Sequence, residues 1–174
     1  MTAHTTTIRV IPRAVRVQKG RGMVEGLIYV EAYLPFDPVA FAEFAELVAK
    51  AGGVEVAAAS NPVLASKALE PLDSQGEAML AQDLIQLAHG FITDSGRVDV
   101  MHDQQARKSV NVVQSFVNTP EIASPNFYPG AWVVAIKLEP GSVEWAKVEA
   151  GELDAVSFQA LVAKVPVLIT MEGS

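Results

Sequence analysis

One histidine and one serine stand where they could carry out chemistry. His102 lies in the stretch "VDVMHD" (98–103), whose alternating apolar residues predict a strand. It stands at the end of that predicted strand, where its imidazole can leave the sheet. Ser157 lies in "DAVSFQALV" (154–162), among apolar neighbours rather than in a polar turn. A serine hydroxyl needs a neighbouring base to lose its proton near neutral pH, and histidine is the usual base. The residue types therefore allow nucleophilic catalysis, with a hydrogen-bonded core serine as the alternative.

Other kinds of chemistry have less support. The chain has no cysteine, which excludes a thiolate nucleophile, a disulfide and a Cys-based metal site. Asp99, His102 and Asp103 could seat an ion, but no completing ligand is evident, so we expect no metal. The glycines form neither of the usual phosphate-binding patterns, so we expect no nucleotide or other cofactor. His89 falls in the last turn of a predicted helix, where the helix dipole favours it, and we interpret it as structural.

Composition restricts the class of protein. The chain has 174 residues, half of them hydrophobic, which suits one compact domain. Its net charge of −7 argues against nucleic acid as the main partner. We expect no membrane span, because no apolar run approaches the roughly 20 residues that one requires. No signal-peptide pattern is visible at residues 1–10, and a cytoplasmic location fits.

Charge is spread unevenly along the sequence. Residues 1–22 hold five basic residues and no acid, which leaves 8 basic and 20 acidic residues in the rest of the chain. A solvated strand face and turn would explain this basic stretch. A contact surface for an acidic partner protein is the sharper alternative.

Hydrophobic periodicity indicates more strands than helices. The predicted strands are 6–17, 23–33, 97–101, 108–118, 130–138 and 154–172. The predicted helices run from Pro38 to Gly52-Gly53, over 77–91 and over 142–153. The apolar stretch 54–69 is interpreted as two short strands or an irregular segment. This pattern predicts an α+β protein with a mainly antiparallel β-sheet or barrel and about three helices.

The first predicted helix has an apolar face, which must pack against another part of the protein. Asp37 is a good N-cap and Pro38 a good first helical residue. The apolar side chains of this helix recur at helical spacing and so lie on one face. They are Phe41, Phe44, Leu47 and Val48. We expect this face to pack against the sheet. We expect part of 54–69 to lie against another protein chain, with this domain's own core as the equal alternative.

Six motifs in order resemble those of the phage prohead proteases, and of the XkdF-like branch in particular. They are "EPLDSQGEAM", "LAHGF", "GRVDVMHD", "VVQSFV", "GAWVVAIKL" and "EWAKVEAGELDAVSF", within residues 70–158. The resemblance implies a fold related to the herpesvirus assembly protease, with His102 as general base and Ser157 as nucleophile. The third catalytic residue stays open between Glu172, Asp99 and Asp103. Asp73, Gly76 and Glu77 of the first motif are expected to be architectural.

The resemblance implies a role in phage head maturation. It suggests a single domain over 1–174 with an insertion at 34–69, acting as a serine endopeptidase on scaffold or capsid proteins or on itself. Capsid or scaffold proteins would be its partners, with self-association. It would act inside proheads in the host cytoplasm, or in the virion. The alternative is a catalytically degenerate structural or interaction protein of the phage particle, since Phe158 and Gln159 follow Ser157 where the family usually has glycine.

Overall fold

The computed structural model describes residues 17–19, 25–72, 76, 78–95, 107–122 and 124–152. These residues belong to two compact units. One contains the described residues of 36–78, and the other contains those of 17–35 and 79–152. The single domain with an insertion at 34–69 stays a prediction.

Three helices form the first unit: α1 (Pro38–Ala51), α2 (Val54–Ser60) and α3 (Pro62–Leu69). Helix α1 has the predicted bounds, because local chemistry sets both of its ends. The Asp37 carboxylate accepts hydrogen bonds from the backbone N–H groups of Val39 and Ala40, at 3.0 and 3.1 Å. Gly52 ends the helix in the left-handed conformation and donates its N–H to the carbonyl of Val48.

The prediction of two short strands or an irregular segment at 54–69 was wrong, since this stretch forms α2 and α3. Its alanines favour helix and are uncommon in strands. Asn61 separates the two helices and caps the second, accepting a hydrogen bond from the N–H of Leu64 at 3.1 Å. Pro62 then occupies the first helical turn, where its missing N–H costs nothing.

Helices α2 and α3 cover the apolar face of α1, where the sequence suggested the sheet. Phe44 is fully buried and Val48 nearly so, and Phe41 and Leu47 pack at the margin of the same cluster. The small side chains that receive them are Ala57, Ala65 and Ala68. This part of 54–69 therefore completes the core of its own unit, and contact with a second chain stays a prediction.

The second unit is built on an antiparallel sheet. Its strands are β1 (Val17–Lys19), β2 (Leu27–Tyr33), β3 (Val110–Val117) and β4 (Trp132–Leu138), in the order β1-β2-β4-β3. Three strands are long, and the short β1 pairs with β2 in antiparallel orientation. Among the described strands β1 and β3 are edges, so these strands form an open sheet and not the closed barrel that we considered.

Helices α4 (Ala81–Gly90) and α5 (Val143–Ala150) complete the described part of this unit, and a π-helical turn (Phe91–Ser95) follows α4. The α+β class and the antiparallel sheet are confirmed. The described residues contain five α-helices instead of about three, because α2 and α3 replace the expected strands. None of the helices in the described ranges is both long and apolar enough to cross a membrane.

Strand β4 lies between β2 and β3 and is buried on both faces. On one face its side chains join those of β2 in a core that also receives Leu84 and Ala88 of α4 and Val148 of α5. On the other face Ala131 and Val133 pack with Leu34 and with aromatic side chains. The central run "WVVAI" is therefore almost continuously apolar, as in strands covered on both sides.

Candidate functional site

A serine hydroxyl joins three of the sequence motifs. The indole N–H of Trp132 in β4 donates to the hydroxyl of Ser115 in β3, at 2.8 Å. The same hydroxyl lies 3.0 Å from the carbonyl oxygen of Ala88 and donates to it. Trp132 is fully buried. The motifs "LAHGF", "VVQSFV" and "GAWVVAIKL" are thus tied together at one buried point, where each polar group finds a partner.

Aromatic packing fixes the Trp132 ring further. Tyr33 of β2 stacks on it with a centroid distance of 6.2 Å, and Phe91 meets it edge-on at 5.5 Å. The hydroxyl of Thr93 reaches the carbonyls of His89 and Gly90, at 3.3 and 3.1 Å. The end of α4 and the π-helical turn are therefore held against the sheet. Such turns are frequent at functional sites, and this one is the last described element before His102.

A second cluster joins the start of β3 to α5. The Glu144 carboxylate pairs through Oε1 with Nε of Arg107, at 3.0 Å, and accepts a hydrogen bond from the Ser109 hydroxyl through Oε2, also at 3.0 Å. The backbone N–H of Glu144 lowers the pKa of this carboxyl, and the Ser109 hydroxyl and the Arg107 and Lys147 charges act in the same direction, against burial. The carboxyl is therefore held in its charged form.

A buried asparagine organises the loop between β3 and β4. The amide nitrogen of Asn118 lies 3.1, 3.0 and 3.2 Å from the carbonyl oxygens of Ser124, Phe127 and Tyr128. Its amide oxygen accepts the N–H of Ser124, at 3.0 Å. The N–H of Tyr128 donates to the carboxylate of Glu31, which is 8% exposed. The loop is thus folded onto the sheet, with Phe127 packed on that face.

Gly130 shows why the motif "GAWVVAIKL" begins with glycine. Its φ is +78°, a left-handed conformation, and a Cβ there would lie 2.9 Å from Cγ of Pro35. A side chain at this position would therefore clash as well as strain the backbone. The glycine therefore lets the chain that enters β4 pass close to Pro35, just after the end of β2.

The residues predicted to do chemistry lie outside the described residues. These are Ser157, His102, and the three alternatives for the third position, Asp99, Asp103 and Glu172. Their arrangement stays a prediction. Asp73 and Glu77 also lie outside, while Gly76 adopts a left-handed conformation with a φ of +78°. His89 is exposed in the last turn of α4.

Sequence reasoning missed the roles of Glu144 and Arg107. An acid in the first turn of a helix is ordinarily explained by the helix dipole, so nothing local pairs Glu144 with a turn 35 residues earlier. Ser115 was visible as part of a motif, but its partners were not. In the described part of the chain, no group of three histidine or acidic residues is placed to hold a metal ion.

Comparison with protein families decides where the chain belongs. The model of the family described as "Putative phage serine protease XkdF" matches residues 67–165, more than half of the chain. The chain belongs to this family. The match begins within α3, spans α4, β3, β4 and α5, and includes both His102 and Ser157. Helices α1 and α2 lie outside it.

Two proteins of Bacillus subtilis (strain 168) are similar to the family region. "Phage-like element PBSX protein XkdF" is 28% identical over 87 residues, which is 49% of this chain and 30% of that protein. "Uncharacterized protein YqbD" is 29% identical over 90 residues, 51% of this chain and 27% of that protein. The chain therefore matches less than a third of the length of these curated relatives. No solved structure matches the chain.

Proposed function

We propose that this chain is a serine endopeptidase of phage head assembly, which cleaves scaffold or capsid proteins or itself. The observation that carries the proposal is the family match over 67–165, which includes both His102 and Ser157. The family's description names a phage serine protease, and this chain has no cysteine that could serve as the nucleophile instead. The proposed fold relationship is to the herpesvirus assembly protease.

The proposed mechanism is acyl transfer. His102 accepts the proton of the Ser157 hydroxyl as the oxygen attacks the peptide carbonyl carbon, and a tetrahedral intermediate forms. The intermediate collapses with release of the amine, which takes its proton from His102, and leaves an acyl-enzyme. Water, activated by His102, then attacks the ester and regenerates the serine. One of Asp99, Asp103 and Glu172 would orient the imidazole, and the reaction requires neither metal nor cofactor.

The described elements that precede the two residues in the chain have defined ends and packing, which supports this proposal. The chain reaches His102 from the π-helical turn that packs on Trp132. It reaches Ser157 from α5, which the Ser142 hydroxyl caps at 3.1 Å and which Gly151 ends with a φ of 73°. Catalytic side chains require such support because small displacements reduce the rate strongly.

Labelling with a serine-directed phosphonate tests the nucleophile. The purified protein should form an adduct, which mass spectrometry should place on Ser157. Ser157→Ala and His102→Ala should each abolish labelling. Ser60→Ala should not, because that hydroxyl is exposed and only donates to Ala57 within its own helix. An adduct that persists in Ser157→Ala would overturn the assignment.

A structural role in the phage particle is the second candidate. The observation that favours it is the sequence after the serine, Phe158-Gln159-Ala160-Leu161, which lacks the glycine usual in the family. A small residue there would let the backbone approach a substrate or form part of an oxyanion site. A protein of this kind would use the basic residues of 1–22 and the segment 34–69 as contact surfaces. Complete absence of phosphonate labelling, together with retention in purified particles, would favour this function.

Both candidates require protein partners. We expect binding to capsid or scaffold proteins within the prohead or virion, and association of the chain with itself. Sedimentation over a range of concentrations tests self-association. A strict monomer at high concentration would contradict it.

A further inference from the structure

Glu144 connects two parts of the chain that are distant in sequence. Its two carboxylate oxygens are both engaged by one short turn, with Arg107 on one and Ser109 on the other, each at 3.0 Å. The side chain of Glu144 is 14% exposed and that of Arg107 29%, so water only partly screens the pair. The backbone adds a contact at the same place, since the N–H of Glu139 donates to the carbonyl of Ser109 at 2.9 Å.

The two connected parts lead to the two residues of the proposed catalytic pair. Arg107 is the first described residue after His102, five positions along the chain. Glu144 lies in the first turn of α5, and the described chain ends at Glu152, five positions before Ser157. Helix α5 is capped at both ends, so contacts to its first turn also orient its C-terminal end at Gly151.

We infer that Glu144 is a positioning residue, which through Arg107 and Ser109 holds the start of β3 against the start of α5, and that the approach of His102 to Ser157 depends on this connection. The inference rests on the proposed function. It assigns Glu144 no contact with substrate.

The arrangement suits this role better than that of a simple surface ion pair. An isolated exposed pair contributes little, because two long side chains must be ordered for one contact in water. Here the carboxylate is held at a helix start, where the dipole favours a negative charge, and it receives two donors that lie two residues apart. Hydrogen bonds to a charged group are stronger than those between neutral groups.

A distance measurement tests the inference without requiring any proteolysis. The chain has no cysteine, so the double variant His102→Cys/Ser157→Cys carries the only two thiols. A short bismaleimide should link these two thiols within one molecule, and the initial rate of linking reports how often the two positions are close. Adding Glu144→Gln should lower this rate about tenfold, the effect of losing one charged hydrogen bond.

Two comparisons separate a loss of positioning from a general loss of stability of the fold. Glu149→Gln, on the exposed side of the same helix, should leave the linking rate unchanged. Arg107→Gln should slow linking, and the combination with Glu144→Gln should add little, because both changes break one contact. Circular dichroism and the melting temperature check that each variant is folded. Should Glu144→Gln lower the melting temperature greatly, Ser109→Ala, which keeps the ion pair, replaces it in the same comparison.

The linking rates of the parent and its variants can give three results. Fast linking in the parent that slows with Glu144→Gln and Arg107→Gln supports the inference. Fast linking that none of these changes affects overturns it and leaves the proposed function intact. If the two thiols in the parent are never linked, His102 and Ser157 are not neighbours, and the proposed catalytic pair is wrong together with the inference.

Discussion

Trp132 donates its indole N–H to the hydroxyl of Ser115 across 2.8 Å, and that hydroxyl donates in turn to the carbonyl of Ala88. The chain of two hydrogen bonds crosses from the central strand through the edge strand to a helix. The second of these bonds joins two residues that are 27 positions apart in the sequence. We interpret it as the point that sets the end of α4 on the sheet.

Replacing Ser115 should therefore destabilise the sheet unit. Ser115→Ala removes a buried hydroxyl that accepts from the indole of Trp132 and donates to Ala88, which should lower the free energy of unfolding by about 1–3 kcal/mol. Denaturant unfolding monitored by tryptophan fluorescence measures this change. Ser60→Ala, at an exposed position with a bond inside one helix turn, should cost much less. Equal losses for the two variants would contradict a special role for Ser115.

Gly26 should tolerate no side chain. Its φ is +79°, and a Cβ at this position would lie 2.1 Å from the carbonyl oxygen of Leu138. Gly26→Ala should therefore lower the free energy of unfolding by more than the roughly 1–2 kcal/mol that the left-handed conformation alone would cost. Gly52→Ala is the matched control, since Gly52 has a similar φ of +76° but open space around it. The difference between the two free energies of unfolding isolates the clash, and no difference would show that the strand start relaxes freely.

Phe44 should be the main apolar anchor of the helical unit. It is fully buried against α2 and α3, so Phe44→Ala should remove about 3–5 kcal/mol of stability from this unit. Hydrogen exchange at the amides of α1 to α3 measures the loss locally. Val39→Ala, in the same helix but 66% exposed, should change exchange little. Protection of α1 that survives in Phe44→Ala would contradict this account of the core.

The lowered pKa of Glu144 predicts the direction of one pH effect. Because the folded state favours the charged carboxyl, this group contributes its full stabilisation above the ordinary glutamate pKa. The contribution is lost as the pH falls through the lowered pKa of the folded state. The stability difference between the wild type and Glu144→Gln should therefore shrink below about pH 4. Unfolding midpoints at a series of pH values measure it, and a difference of the same size at pH 3 and pH 7 would exclude an ionic contribution.

Local signals in the sequence determined much of the secondary structure. Asp37, Pro38 and Gly52 predicted the ends of α1, because caps act within one helical turn. The alternation of apolar and polar residues predicted β2, β3 and β4 close to their observed bounds. The family match over residues 67–165 follows from the sequence as well.

The segment 54–69 shows where local reasoning failed. Its short apolar runs suit a strand or a helix equally by periodicity, whereas its alanines favour helix. The helical outcome depends on Phe44 and Val48, which offer α2 and α3 a surface that only small side chains can approach closely. Helix propensity and packing against α1 therefore act in the same direction.

The pairings that position the candidate site were decided by tertiary structure. Ser115 meets Trp132 because β3 and β4 pair in a register that contains a bulge between Val112 and Gln114, and no local pattern predicts that register. Arg107 meets Glu144 across 3.0 Å because the start of β3 and the start of α5 flank the same end of β4. The sequence by itself determined which residue types are present and which short elements they form. Their contacts depend on strand order and register, which are set by burying apolar faces over the whole unit rather than by neighbours along the chain.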